Sequence, residues 1–437
     1  MFMRLLGLLL IGAAFVAPAI WFFGLSTRHD PVALFSQYLG ACALIAMAIS
    51  QILATRFVFL ETIFGGLDRI YLLHKWLGIG TLALIILHDT IDAEIDELSR
   101  ETVVGEIAET LGEISLYGLL TLGTLSVLTF VPYHLWKFTH KLMGGFFAAS
   151  ALHFVFIEKP FTVADPLGLY VMAFCVIGLT AYVYSLIPSG TFRGWRPYSI
   201  SAIEMTGGAL AVSLKPNGRL IQHRAGQFAF VQFVQPGISE IHPFTISKAS
   251  DSEGTLRFTV KDLGDFTGRL DHELMLETPV RVSGPFGHFR MQRGNDPQIW
   301  IASGVGITPF MAWAESLQEA DSPVHLFYSA RTRAAAPHLE DLEQLARNTS
   351  NLHLHFVETQ HQERLTARRI LDESEAIPSN THVSFCGPEE MRQSLRRQFR
   401  ATGLPARHFH FEAFEIRSGI GLRRLADWLW RTRHNLN

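Results

Sequence analysis

The feature that most limits what this chain can become is a series of apolar runs confined to its first 188 residues. Crossing a bilayer takes roughly 20 predominantly apolar residues. Six stretches qualify, at about 5–25, 32–54, 69–88, 114–132, 137–157 and 167–187. In lipid every backbone polar group must find its partner inside the protein, so these stretches are expected to form a bundle of helices. Arg4, Arg56, Arg69, Lys137, Lys141, Arg193 and Arg196 all fall on one side of a six-span arrangement. The segment Asp89–Glu113 on the other side holds nine acidic residues and a single base, Arg100. Lys and Arg accumulate on the cytoplasmic side of a membrane, so both termini are expected there. The first stretch has a second reading as a secretory leader, because Arg4, an apolar run and Ala17-Pro18-Ala19 fit that pattern too.

The mean hydropathy of +0.21 averages two unlike halves. A chain of 437 residues is long enough for two or three domains, and beyond about residue 188 the pattern is that of a water-soluble protein. A net charge of −3 offers no electrostatic basis for binding nucleic acid. Cys42, Cys175 and Cys386 are too scattered for a disulfide framework, and no CxxC pair marks a zinc or iron–sulfur site. The soluble half therefore suits a reducing compartment.

Four histidines interrupt the apolar stretches in two pairs, His74 with His88 and His140 with His153. An ionisable ring inside a membrane is costly and marks a functional site, and imidazole is an axial ligand of haem iron. One such histidine alone more often bonds a neighbouring helix, the reading that suits His29 and His134. Four at matched depths point instead to two b-type haems, one between His74 and His140 and the other between His88 and His153. At about 1.5 Å per residue, the members of each pair stand roughly 20 Å apart along their helices. The fourteen-residue step from His74 to His88 is nearly four whole turns, so both rings share a face. The thirteen-residue step from His140 to His153 does not return to one face, and a bend near Gly144 and Gly145 is expected.

After the linker Gly194–Pro197, alternating runs at Ala209–Leu214, Gln227–Val234, Leu256–Val260 and Val280–Val282 suggest a small antiparallel barrel. From about residue 297 strands and helices alternate, with Ile299–Ala302 before a helix from Pro309 and His325–Ser329 before a helix at Leu339–Ala346. That order calls for an α/β parallel sheet with a nucleotide at the strand C-termini. Within the barrel, His242-Pro243-Phe244-Thr245-Ile246-Ser247 offers a packed aromatic and hydroxyls to a flat flavin ring. Lys261 to Leu270 runs from a strand through Gly264 and Thr267 into a helix start, where backbone N–H groups suit a pyrophosphate; an ordinary cap by Thr267 or Asp265 is the plain alternative. Ser303-Gly304-Val305-Gly306-Ile307-Thr308-Pro309 would let a dinucleotide approach the backbone, although Pro309 stands where the usual fingerprint has its third glycine. Ser329 and Arg331 follow the next strand, where a 2′-phosphate would lie, favouring NADPH with NADH still possible.

These residues together resemble the ferric reductase and NADPH oxidase superfamily of transmembrane flavocytochromes, from about Asp68 to Phe414. The resemblance rests on the unequal spacing of the two histidine pairs, on His242–Ser247 and on Gly304–Pro309. It implies a multidomain chain: a six-helix transmembrane haem domain at 1–188, an FAD-binding β-barrel at 193–293, an NAD(P)H-binding α/β domain at 297–416 and a basic amphipathic tail at 417–437. It also implies FAD on His242, Pro243, Phe244, Thr245, Ser247, Lys261, Gly264 and Thr267. NADPH would lie on Gly304, Gly306, Thr308, Pro309, Ser329, Arg331 and Gly387, with Cys386 near the nicotinamide and Phe414 covering the flavin. Electrons would pass outward to oxygen, giving superoxide, or to ferric chelates, in a multi-pass protein of the bacterial inner membrane whose oligomeric state stays open. Asp92 stands where the eukaryotic oxidases of the group have a further histidine, and no arginine lies near the outer face of the second stretch, which sets oxygen against ferric iron as an unresolved choice. The tail has two readings, a helix lying on the membrane surface or a frayed end.

Overall fold

The computed structural model describes residues 4–91, 102–127, 133–187, 194–292 and 296–411. Phe414 and the tail 417–437 lie outside these residues, as do Asp92, Arg100 and Arg193. The chain divides between Ile187 and Pro188 into two compact units.

The first unit is helical: α1 Leu5–Leu25, α2 Pro31–Ala54, α3 Val58–Phe64, α4 Leu67–Thr90, α5 Val103–Val127, α6 Tyr133–Lys141, α7 Met143–Phe156 and α8 Pro166–Leu186. Helix α2 starts where Pro31 fits the first turn and the Asp30 carboxylate accepts the Ala33 N–H at 2.8 Å. Among the described residues four helices, α1, α2, α4 and α8, are long and apolar enough to cross a membrane. Most of α2 is buried, while α1, α4 and α8 leave most of their apolar surface exposed, as helices facing lipid do. Phe22, Leu44, Ala48, Phe147, Phe154 and Val171 form the core.

Two expected spans differ from the sequence reading. The segment expected at 114–132 is a helix that starts eleven residues earlier, at Val103. The Thr102 hydroxyl accepts the Gly105 N–H at 3.0 Å, and Glu106, Glu109 and Glu113 ride on the first turns. Negative side chains there complement the helix dipole, so part of the acidic stretch is helix and not loop. The segment expected as one helix at 137–157 is two, parted at Leu142. Tight i→i−3 bonds run from Leu142 N to Thr139 O and from Gly145 N to Leu142 O.

In the second unit β1 Arg196–Thr206, β2 Ala209–Pro216, β3 Phe228–Phe233, β4 Ile241–Thr245, β5 Leu256–Lys261 and β6 Pro279–Phe286 form one antiparallel sheet in the order β4-β3-β6-β1-β2-β5, with the short α9 Leu270–Glu273 between β5 and β6. The sheet curls until its edges touch at the Ile246–Phe258 bridge. Its inner face carries Tyr198, Ile200, Val212, Val231, Phe258 and Val282.

The remainder alternates as the sequence suggested: β7 Gln298–Ser303, α10 Thr308–Glu315, β8 Val324–Ala330, α11 Leu339–Asn348, β9 Leu352–Glu358, α12 Ala367–Ser374, β10 His382–Cys386, α13 Glu389–Ala401 and β11 Phe409–Phe411. All five strands are parallel, in the order β11-β10-β7-β8-β9. Trp300, Leu326 and Tyr328 pack under α10 and α11, while Ile301, Phe327 and Phe385 pack on the other face with Ile370 and Phe399. Burial on both faces explains why β7 and β8 read as nearly continuous apolar runs. The order reverses between β7 and β10, which opens a crevice at their carboxyl ends.

Candidate functional site

The four membrane histidines are built alike. His74 Nδ1 lies 3.0 Å from the Ser50 carbonyl and His88 Nδ1 2.9 Å from the Ser36 carbonyl, both on α2. His153 Nδ1 lies 2.8 Å from the Ala108 carbonyl and His140 Nδ1 3.0 Å from the Ser126 hydroxyl, both on α5. A carbonyl only accepts, so each Nδ1 donates. Ser126 donates its own proton to Leu122 O at 2.8 Å and thus accepts from His140. Among the described residues no hydrogen bond is made by the Nε2 of any of the four. Fixing a proton on one ring nitrogen leaves the other with its lone pair directed outward, the arrangement of a metal-ligating histidine.

His74 and His140 face one another with ring centres 5.9 Å apart. Two imidazoles on opposite sides of one metal, each at a bond length of roughly 2 Å, need about that separation. Glycine makes the room. A Cβ on Gly40 would stand 3.1 Å from His88 Nε2, and one on Gly112 would stand 2.9 Å from His153 Nδ1. The histidine-bearing helices thus approach α2 and α5 where those helices have no side chain. At the level of His74 and His140 the residues would suit a haem held between two imidazoles. Sequence reasoning singled out the four histidines but missed Ser36, Ser50, Ser126, Gly40 and Gly112. One signal was available: Ser36 and Ser50 are fourteen residues apart, the same step as His74 to His88.

In the curled sheet His242, Pro243, Phe244 and Thr245 lie on β4, with Ser247 just beyond. Phe244 packs against the sheet's core, and the His242 ring stacks on Phe266 at 3.9 Å between centres. Lys261 ends β5. Thr267 Oγ1 accepts the N–H of Leu263 at 2.9 Å and of Gly264 at 3.1 Å, which closes the turn before the short helix. Thr267 thus ties the turn that precedes it and does not cap the helix, against its plainer reading: Phe266 stands at the cap, with no side-chain bond. A Cβ on Gly264 would meet nothing within 4 Å, although its N–H is already given to Thr267.

In the parallel sheet the two nucleotide motifs meet. Gly304, at φ +55°, turns the chain from β7 toward α10, and Thr308 and Pro309 begin that helix. A Cβ on Gly306 would stand 2.3 Å from the Cys386 carbonyl oxygen. Only glycine allows this loop to lie on the Cys386–Gly387 backbone, so both motifs border the crevice at the strand reversal. Cys386 is buried. Ser329 departs from expectation: it is buried and donates to the Ala302 carbonyl at 3.2 Å, which turns its hydroxyl away from a 2′-phosphate. Arg331 is exposed and keeps that possibility alone of the two.

Comparison with known proteins agrees with this division. A model of the ferric reductase like transmembrane component matches residues 39–151, a FAD-binding domain matches 196–290 and an oxidoreductase NAD-binding domain matches 300–397. Among curated relatives, a flavohemoprotein of Burkholderia sp. (strain TH2) is 22% identical over 57% of this chain and 67% of its own length. The beta subunit of a heme-dependent oxidative N-demethylase of Ectopseudomonas mendocina is 26% identical over 50% of this chain and 64% of its own. The reductase subunit of a carnitine monooxygenase of Escherichia coli (strain K12) is 29% identical over 35% and 46%. The chain thus spans about half to two thirds of the length of these relatives. Among solved structures, the flavohem-like FAD/NAD binding domain of nitric oxide dioxygenase from Vibrio cholerae aligns with a TM-score of 0.43 at 20% identity, over 50% of this chain and 97% of that one.

Proposed function

The chain belongs to the ferric reductase and NADPH oxidase-like superfamily, and from that premise we propose that it moves electrons from NADPH, through FAD and two b-type haems, to an acceptor beyond the outer membrane face. It is an NAD(P)H-dependent oxidoreductase with FAD- and NAD-binding domains and a membrane-associated helical domain. When bound, the flavin supplies the conversion of a hydride pair into single electrons, and the haems supply one-electron carriers at two depths.

The protein's part is holding and spacing. The glycine loop at Gly304–Gly306 and the Cys386–Gly387 turn would orient the nicotinamide, with Cys386 beside it. Arg331 would select NADPH over NADH by pairing with the 2′-phosphate. The β4 segment from His242 to Thr245, with Ser247 and Lys261 nearby, would seat the flavin, and Gly264 and Thr267 would meet its pyrophosphate. Phe414 would cover the exposed ring face. His74 with His140 and His88 with His153 would hold the haems at the inner and outer levels. No side chain in the membrane need act as acid or base.

The observation that carries this reading is the shared arrangement of the four histidines, each with Nδ1 bonded to α2 or α5 and with Nε2 making no hydrogen bond among the described residues. Six spans with both termini in the cytoplasm would place NADPH and the soluble domains on one side. Acidic residues such as Glu106 and Glu109 would draw cationic ferric complexes to the other side, while a closed outer face would admit only oxygen.

Proteoliposomes loaded with FAD and haem test the proposal by stopped flow. NADPH should reduce the Soret-absorbing centres, and oxygen or a ferric chelate should reoxidise them. Ferric reduction lost on adding superoxide dismutase would identify oxygen as the direct acceptor. NADPH oxidation with flavin signals alone, unchanged when His74 and His140 are replaced, would mark a tethered flavin reductase and end the haem reading.

A further inference from the structure

Between the two cofactor-binding domains of the second unit lies a buried polar chain that the flavin and nucleotide motifs do not account for. His338, at the start of α11, is 3% exposed and holds φ +58°, a conformation that residues with a Cβ rarely adopt. All three of its polar donors or acceptors facing the interior are engaged. Its backbone N–H donates to Thr206 Oγ1 at 2.7 Å, Nδ1 lies 3.1 Å from Asp341 Oδ2, and Nε2 lies 2.7 Å from Thr259 Oγ1. Thr259 on β5 in turn lies 3.0 Å from the hydroxyl of Ser247, which is fully buried.

The direction of this chain follows from its end. The Asp341 carboxylate only accepts, so Nδ1 carries the proton and Nε2 accepts from Thr259. Burial, reinforced by the Arg257 guanidinium, holds the imidazole below its usual range and therefore neutral. Ser247 ends the segment that begins at His242. A second clasp grips the same place: Arg257 donates to Glu315 at 2.7 Å and to the Ser247 carbonyl, and Glu315 accepts the Ala249 N–H at 2.8 Å. Glu315 ends α10, the helix that the Gly304–Pro309 loop begins. Two polar clasps from the nucleotide domain therefore close on the residues just after Phe244 and Thr245. The approach is tight, since a Cβ on Gly207 would stand 2.2 Å from Ala336 C.

We infer that His338 is a positioning residue for hydride transfer, fixing the nucleotide-binding domain to the flavin-bearing strand through Thr259 and Ser247. In that step a C–H bond of the dihydronicotinamide breaks and its hydrogen, with two electrons, bonds to the flavin, leaving NADP⁺. Transfer of this kind falls steeply with small displacements of donor from acceptor, and a clasp that joins the two domains sets that displacement without touching either ring. The inference rests on the reading that the His242–Ser247 segment seats FAD, which the FAD content of each variant checks separately.

Anaerobic stopped-flow reduction of the flavin by saturating NADPH, in the full-length FAD-loaded protein, tests it. Thr259→Val removes the hydroxyl. His338→Gly removes the ring while relieving the positive φ, so a stable variant without the clasp is at hand even where Thr259→Val folds poorly. Both should lower the limiting rate per bound flavin by about tenfold or more, with FAD content and NADPH affinity within about twofold of the parent. Thr259→Ser, which keeps the hydroxyl, should restore the rate. Limiting rates in Thr259→Val and His338→Gly equal to the parent's would overturn the inference, as would Thr259→Ser as slow as Thr259→Val. Variants that lose FAD itself would instead count against the flavin-seating reading.

Discussion

The same side chain serves two purposes in the two units. In the helical unit His74, His88, His140 and His153 each anchor one nitrogen on a neighbouring helix and, among the described residues, leave the other without a hydrogen bond. In the parallel sheet the histidines bond one another. His325 Nδ1 lies 3.1 Å from His355 Nε2, whose other nitrogen lies 3.6 Å from Glu373. His382 Nδ1 lies 3.0 Å from His410 Nε2, and its Nε2 lies 3.7 Å from Asp296. Those rings stack as packing units, and among the described residues no group of three or more His, Cys, Asp or Glu is arranged to hold a metal ion. Availability of a lone pair, and not the presence of histidine, separates a ligand from a packed ring.

Replacing one ring on each side tests this contrast most strongly. His74→Ala should cut NADPH-driven electron delivery to an outer acceptor by about a hundredfold or more, while NADPH oxidation with a soluble flavin acceptor persists. His410→Asn should leave delivery within about twofold of the parent, since its ring bonds and packs within the sheet. A proteoliposome assay with the acceptor on the outer side reads both, and equal losses would erase the distinction.

The glycine cradles give the next largest effect. Gly112→Val puts side-chain carbon where His153 stands and should lower outer haem affinity roughly tenfold, as judged by haem retention during dialysis. Gly40→Ala, against a ring that has slightly more room, should lower it less. Full retention in Gly112→Val would show that His153 does not need the position it occupies here.

Acid should act on the soluble rings. Burial first, then the neighbouring imidazoles, push His325 and His410 down to about 4, while an unfolded chain titrates near 6.5. The folded form therefore binds fewer protons between those values, so its stability is complete above about pH 6.5 and declines as pH falls toward 4. Melting of the full-length protein should drop by a few degrees from pH 6.5 to 4.5, and His325→Phe should flatten that slope. A melting temperature that rises over the same interval would contradict the packing role.

The smallest effect is expected at Ser126, whose hydroxyl takes the place that a backbone carbonyl has beside the Nδ1 of His74, His88 and His153. Ser126→Ala removes an acceptor that raises the basicity of His140. The haem should stay bound and the midpoint potential of one of the two centres should shift upward in a spectroelectrochemical titration. Two unshifted potentials would show that this bond orients the ring without tuning it.

Much of this was legible in the chain because it depends on local pattern. Hydropathy marked α1, α2, α4 and α8, and alternation marked β2, β3, β5 and β6. The turn chemistry of Gly304–Pro309 showed where β7 gives way to α10. What stayed hidden depends on partners distant in sequence. Nothing local tells that Ser329 turns inward to Ala302, or that Thr102 begins α5 ahead of three glutamates. The bend required by the thirteen-residue histidine step was foreseen near Gly144, whereas the helices part at Leu142. Gly144 has a different reason: the Tyr182 ring of α8 stands 2.2 Å from where its Cβ would be. The strands β9 to β11 escaped because their histidine-rich ends break the apolar pattern.

The most direct measurement is the haem iron bound per polypeptide in purified, cofactor-replete protein, followed by its absorption spectrum. Two b-type haems per chain with low-spin, doubly imidazole-ligated bands are expected, falling to one in His140→Ala. A ratio well below one, or a spectrum unmoved by that substitution, would contradict haem ligation by the paired histidines.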